Sequence, residues 1–431
     1  MFEVLKSSWA LLLGMALLMV GNGLQGSLIG VRGGIEGFTT FELSLITSGY
    51  FLGFLGGSRM APNFIQRVGH VRVFAALASF ISAALILYPA VTNPVAWMFL
   101  RVVIGFCLSG VYVTAESWLN NAASNETRGQ ALSLYMIVQM AGVVAAQGLL
   151  NVADPAGYIL FVIPSVLVSI SFAPILLSVT PTPAFGSTRQ LSFRDLYKIS
   201  PLGVVGMLML GGVFSAQFGM SAVYGTEAGF SVAQISVFVS SIFVGAMVLQ
   251  FPIGWLSDRI DRRMLILGVS AVATLAALVA WQFGMNFPVL LACAFVIGGM
   301  TNPLYALLIA YTNDYLDADD MAGASGGLLF INGLGAIAGP VLTGWLMTHF
   351  GAQGFWLIIM ATMLATTLYA VFRMTRRQSA YADEGEYEAV PYAAVGPGST
   401  PFIAEVAQEV WVEAAEEIAE SSEGEEDESS S

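Results

Sequence analysis

The chain has 431 residues, of which 56% are hydrophobic and only 10% charged, against about 25% charged in a soluble domain. Its net charge of −13 is local: from Ser379 onward there are 15 acidic residues and no Lys or Arg, and without that stretch the chain carries about +2. This composition excludes a soluble globular enzyme, gives no basic surface for nucleic acid, and implies an integral membrane protein set in a lipid bilayer.

Runs of about 20 apolar residues predict spans near 9–30, 41–58, 73–92, 95–118, 130–150 and 157–179. A second set follows near 201–224, 233–253, 264–284, 288–311, 322–348 and 354–373. The first run follows Lys6 but exceeds the roughly 7–15 apolar residues of a leader, and no small-residue cleavage site follows, so it reads as a retained span. Twelve spans place both termini on one side. That side carries Arg59, Arg67, Arg72, Arg128, Arg189, Arg259, Arg262, Arg263 and Arg376, whereas the opposite loops carry Arg32 alone. The bias predicts cytoplasmic termini.

The expected organisation is an N-terminal six-helix bundle over 1–180, a linker over 181–200, a second six-helix bundle over 201–378 and an acidic tail over 379–431. A tail this acidic reads as mostly disordered. Within it Ile403, Val406, Val410, Ala414 and Ile418 recur at helical spacing, so an acidic amphipathic helix for a protein partner is the alternative. Cys107 and Cys293 fall in spans of different halves and read as small buried hydrophobes.

The two sets of spans are related. Pro62 to Arg72, after span 2, recurs about 192 residues later as the loop after span 8, Gly254 to Arg263, and Ser44 and Gly53 fall on Ser236 and Gly245. Two similar halves in a membrane protein imply a pseudo-symmetric pair of bundles with a path between them.

Polar side chains inside spans mark candidates for that path. Arg101 lies about six residues within span 4, where a charge is costly unless it faces water or partners; snorkelling to the surface is its alternative. Tyr112 is predicted to share its helix face. Gln25 and Gln217 are equivalent across the repeat, and Asn22 and Gln147 are expected at similar depth, with Gln139, Asn302, Tyr305 and Asn332 nearer the midplane. Several amides at one depth suggest a water- or ligand-filled cavity, and interhelical hydrogen bonds are the alternative. Glu116, roughly 22 Å along the helix from Arg101, is expected to pair with Arg128 as a gating contact, with a proton-carrying role second.

Three features carry a family resemblance: the duplicated loop; Arg101-Val102-Val103-Ile104-Gly105; and Ala115-Glu116-Ser117-Trp118-Leu119-Asn120 with Thr127-Arg128-Gly129. Over residues 1 to 378 the chain resembles the major facilitator superfamily, and more narrowly the YcaD-like branch of bacterial permeases. The resemblance implies an all-α integral membrane fold of twelve transmembrane helices in two pseudo-symmetric six-helix bundles that rock about a central cavity. It implies a bacterial inner-membrane location and a proton- or substrate-linked role for Arg101. It also implies a cytoplasmic gate at Gly254, Asp258, Arg259 and Arg262, with Arg67, Gly69 and Arg72 in the first copy. That copy departs from the family pattern, having Pro62 and Gln66 where the second has Gly254 and Asp258. Gly335-x-x-x-Gly339-Pro340 in span 11 resembles the superfamily's antiporter motif, which normally sits in span 5; small residues at this spacing permit close helix packing, and Pro340 a kink.

The expected function is secondary transport of a small organic solute by alternating access, with protons as the driving ion for export; uncoupled diffusion and uptake by symport are alternatives. A transporter-like receptor signalling through the acidic tail is an alternative of another class. No phosphate loop, nucleophile–base pair or metal-ligand cluster is visible in the sequence, so neither catalysis nor a cofactor is expected.

Overall fold

The computed structural model describes residues 2–122, 125–177, 193–257, 259–284, 286–316 and 318–376. Asp258, residues 178–192 of the linker and the whole tail lie outside the described residues, as does the side chain of Arg128. The first half comprises α1 (Phe2–Ile35), α2 (Thr40–Val68), α3 (His70–Ala90), α4 (Pro94–Ala122), α5 (Asn125–Leu149), α6 (Ile159–Ser171) and α7 (Ala173–Leu177). A short α8 (Phe193–Ile199) precedes the second half. That half comprises α9 (Pro201–Ser215), a π-helical turn (Ala216–Met220), α10 (Ser221–Glu227), α11 (Val232–Ser257), α12 (Arg262–Phe283), α13 (Phe287–Asn313), α14 (Ala318–Phe350) and α15 (Gly354–Met374). No strand occurs among the described residues.

These helices make twelve crossings, because α6 with α7 and α9 with α10 each form one. Pro174, the second residue of α7, has no N–H to continue α6, so the helix breaks there and resumes. Most crossings are apolar over more than 18 residues. The helix α2 departs from this: Thr40, Glu42, Ser44, Thr47 and Ser48 make its first turns polar, and it packs against both α4 and, across the halves, α14. Lipid-facing positions are large and apolar, as at Phe80, Phe99, Phe251 and Leu275.

The repeat read in the sequence is built from the same local chemistry twice. Gly37 and Gly229 both have positive φ, 78° and 75°, a conformation that glycine adopts without a Cβ penalty. Each closes α1 or α10 with the same backbone bond, Phe38 N to Gly33 O and Phe230 N to Gly225 O, both 2.9 Å. The next helix then opens on a capping box. Thr39 with Glu42 caps α2, and Ser231 with Gln234 caps α11, Ser231 N donating to Gln234 Oε1 at 2.9 Å. Reciprocal caps satisfy the orphan N–H groups at a helix start.

Glycines then set how closely the helices pack. A Cβ on Gly53 would overlap the carbonyl of Val102, and one on Gly105 that of Tyr50, so α2 and α4 meet backbone to backbone. In the second half Gly245 against Phe295 and Gly298 against Ile242 bring α11 and α13 together in the same way. Gly335 and Gly339 meet α9 at Leu208 and Gly212, and Gly142 occupies the corresponding place in α5 against α1. Pro340 lies inside α14 beside this contact.

Candidate functional site

The two halves touch on one side of the molecule and part on the other. On the side away from the termini, Thr40 Oγ1 donates to Glu227 Oε1 at 2.5 Å, Asn151 Nδ2 donates to Ser236 Oγ at 2.9 Å, and Ser48 Oγ donates to Ile337 O at 2.6 Å. Small residues tighten this seal: Gly30 meets Ala222 and Val223, Gly34 meets Thr226, and Gly344 meets Ser44. From the middle of the molecule toward the terminal side lies an open cavity of about 1170 Å³, walled by both halves.

Its walls are mainly apolar and carry a cluster of aromatic rings. Tyr50, Phe51 and Phe54 come from α2, Phe214 and Phe218 from α9 and the π turn, and Phe243 from α11. The rings interlock across the halves, with centroids 5.9 Å apart for Tyr50 and Phe218 and 6.4 Å for Phe51 and Phe218. Toward the terminal side Arg59 stacks on Phe330 of α14, its guanidinium carbon 4.0 Å from the ring centroid. This cation–π contact spans the two halves. Among the described residues no carboxylate lines the cavity.

Of the polar residues expected to form a cavity, Asn22, Tyr112, Gln139, Asn302 and Asn332 line it. Asn22 Nδ2 donates to the Tyr112 hydroxyl at 3.3 Å, and that hydroxyl donates to Met19 Sδ at 3.2 Å. Asn22 Oδ1 is buried and has no hydrogen-bond partner. Asn332 also ties α14 to α9, donating to Met207 O at 3.1 Å.

The others stand behind the wall. Gln147 accepts from Ser27 at 2.8 Å and so joins α5 to α1. Gln217, in the π turn, is held by Thr301 at 3.1 Å, and its neighbour Phe218 projects into the cavity. Tyr305 is fully buried. Arg101 is also fully buried; it donates to Gln25 Oε1 at 2.5 Å, and its guanidinium carbon lies 5.2 Å from the Tyr50 ring centroid. The face it was expected to share is divided: Tyr112 reaches the cavity, whereas Gly105 is covered by α2.

Glu116 is buried within the first half, where it accepts from the Tyr135 hydroxyl at 3.1 Å. At the terminal surface Arg262 is fully buried against Asp314, at the end of α13, and also donates to Ser257 at 3.3 Å. Arg259 instead lies over Trp255, 4.0 Å from the ring centroid, and donates to Trp255 O at 2.9 Å. In the first copy of the loop Gly69, at φ 84°, makes the tight turn between α2 and α3. The place of Arg262 is taken there by His70, whose Nε2 lies 3.0 Å from Ser117 Oγ. Arg67 and Arg72 are exposed. On the far side Arg32, the sole basic residue there, pairs with Glu36 at 2.6 Å and donates to Pro155 O at 2.9 Å, holding the loop after α5.

Asp314, Tyr135, Ser117, Thr301 and the cavity rings were not singled out from the sequence. An aromatic ring in an apolar span suits lipid, core and cavity alike, so no sequence signal separates these rings from the many others.

The family model for the major facilitator superfamily matches residues 11–244 and 202–414. An uncharacterized MFS-type transporter of Yersinia pestis is 24% identical over 360 residues, covering 83% of this chain and 90% of that one. The uncharacterized MFS-type transporter YcaD of Escherichia fergusonii is 24% identical over 373 residues, covering 86% and 96%. Among solved structures, a bacterial homolog of the human lysosomal transporter Spinster, in an inward-facing and unoccupied conformation, aligns with a TM-score of 0.68 at 14% identity, covering 95% of this chain and 98% of that one. The nucleoside transporter NupG aligns at 0.66, also at 14% identity, covering 85% and 100%. With twelve helices in two pseudo-symmetric halves, a duplicated loop and YcaD-like relatives, this chain is a multi-pass membrane protein belonging to the major facilitator superfamily.

Proposed function

We propose that the protein is a secondary transporter that moves a small organic solute across a bacterial inner membrane by alternating access. The observation that carries this reading is the asymmetry of the interface: one cavity walled by both halves, sealed on one side and open on the other. With the termini cytoplasmic, as the arginine distribution favours, the conformation is inward-open. The seal on the far side consists of short hydrogen bonds and glycine contacts, which can be broken and remade without burying an unpaired charge.

A wedge in that seal tests the reading. Gly344→Leu would place a side chain against Ser44, and the expected result is a shift of the population toward the outward-open state. Spin labels on the far ends of α2 and α14 should move apart in the variant, and labels on their terminal ends should approach. Unchanged distances at both ends in a folded variant would refute alternating access through this interface.

Export coupled to proton entry is the mode we propose, with Glu116 as the protonatable group. It is the one carboxylate buried in α4, and Tyr135 can hydrogen-bond to either of its protonation states. In inverted vesicles with an acidic interior, a transported solute should collapse the gradient. Glu116→Gln should abolish that proton flux while leaving solute binding within about threefold, since the amide oxygen still accepts from Tyr135. Unaltered proton flux in Glu116→Gln would remove Glu116 from the coupling.

A further inference from the structure

The cavity combines aromatic rings with two positive charges contributed by the first half. Arg59 is the sole charged side chain on its wall among the described residues. Arg101 stands one ring behind the wall, 5.2 Å from the centroid of Tyr50. We infer that the transported solute is a lipophilic organic monoanion, a flat aromatic body bearing one carboxylate, selected by the charge of Arg101. The inference rests on the transport reading above and specifies the solute class.

The body follows from the rings. Tyr50, Phe54, Phe214, Phe218 and Phe243 present π faces and edges from both halves, with Phe214 and Phe218 stacked at 6.0 Å between centroids. Such surfaces favour a flat apolar group placed between them. A sugar or other polyol would leave many of its hydroxyls without partners, because rings and aliphatic side chains make up most of this lining.

The charge follows from Arg101. Its side chain is buried in the membrane interior, its hydrogen bond goes to the neutral amide of Gln25, and among the described residues no carboxylate lies within ion-pair distance. Its Nε has no hydrogen-bond partner. A buried cation without a counter-charge is costly, and a protein that retains one has placed a positive potential there. The acid on the same helix, Glu116, stands roughly 22 Å away by helical rise and is engaged by Tyr135. In the second half the Gly105–Gly298 register puts Ala294 opposite Arg101, so the potential is confined to one side of the cavity. It lies behind Tyr50 and next to Asn22, which neighbours Gln25 on α1. Arg59, exposed toward the open side, gives the entrance the same sign.

Matched probes test this with the full-length protein in detergent. Indole-3-acetate, indole-3-acetamide and tryptamine share one ring system with negative, neutral and positive heads; 2-naphthoate, 2-naphthamide and 2-naphthylmethylamine repeat the series on another. Affinity is read from ligand-dependent thermal stabilisation. Both acids should bind at least about tenfold more tightly than their amides, and the amines should not bind measurably. Arg101→Gln should reduce the acid-to-amide ratio to about twofold or less with the amide affinity unchanged, and Arg101→Lys should keep most of the preference. Arg59→Gln, on the wall and exposed, supplies a variant with no buried change, and it should lower acid binding severalfold.

Amides or amines that bind as tightly as the acids would overturn the inference, as would an acid preference unaltered in Arg101→Gln. Failure of both acids to bind a monodisperse protein would overturn it too. These outcomes are separable from failure of the transport reading, which the spin-label distances of the Gly344→Leu experiment report without any ligand.

Discussion

Arg262→Leu is expected to cost about 3–5 kcal/mol, because removing one partner of a buried ion pair leaves the other charge uncompensated. Arg262 and Asp314 have side chains 0% and 3% exposed. Asp314 caps the C-terminal end of α13, where the helix dipole opposes a negative charge, so loss of the guanidinium is expected to be costly there. A loss of that size is a large part of the roughly 5–15 kcal/mol that holds a folded protein. The variant should give little monodisperse protein, and what remains should melt far below the parent on fluorescence-detected size exclusion. Arg262→Leu combined with Asp314→Leu should recover most of the loss, since no orphan charge remains. If the single and double variants melt together, Asp314 is not what Arg262 holds. The contrast lies in the other half: His70→Ala removes a neutral contact with Ser117 and should cost only about 1 kcal/mol.

Gly53→Val and Gly245→Val are the second pair with large expected effects. At each position a Cβ would collide with a backbone carbonyl of the facing helix, Val102 in one half and Phe295 in the other. A flexible side chain could turn aside; a helix backbone cannot. The helices must separate, and the cost should exceed the usual 1–3 kcal/mol, roughly, of overpacking. Each substitution should abolish recovery of folded protein from the membrane. Gly268→Val on α12 is the control, since nothing lies within 4 Å of a Cβ there. Comparable yields for Gly53→Val and Gly268→Val would show that α2 and α4 do not meet as closely as described. Both large effects concern contacts repeated, or pointedly altered, between the halves.

The legible part of the fold and the illegible part differ in kind. Span lengths, the side that carries the basic loops, and the repeat that sets Ser44 and Gly53 on Ser236 and Gly245 could be read directly. Each is read locally: apolar length against bilayer thickness, charge against the translocation barrier, and like residues at one offset. The resemblance to the superfamily rested on short segments too, the duplicated loop and the two stretches of α4 and its end.

The site was only partly legible. Asn22 and Tyr112 were recognisable as polar groups in apolar spans, and they do line the cavity. Arg101 was recognisable as a buried charge, but its place behind Tyr50 rather than on the wall depends on Gly105 letting α2 approach. Gln25 and Gln217 are equivalent in sequence yet bind different partners. In the Gly105–Gly298 register the Thr301 that holds Gln217 is matched by Leu108, so Gln25 turns to Arg101 instead.

The sequence by itself thus determined the number of spans, the side on which the basic loops gather, the twofold repeat and the polar residues within the spans. Only the tertiary structure decided that Asp314 is the partner of Arg262, that aromatic rings from α2, α9, the π turn and α11 form one wall, and that the seal lies on the far side. A helix that is apolar nearly all round carries no periodic signal of which face meets lipid, core or cavity. That choice is made by the neighbouring helices, through contacts between residues 52 to 289 positions apart in the chain.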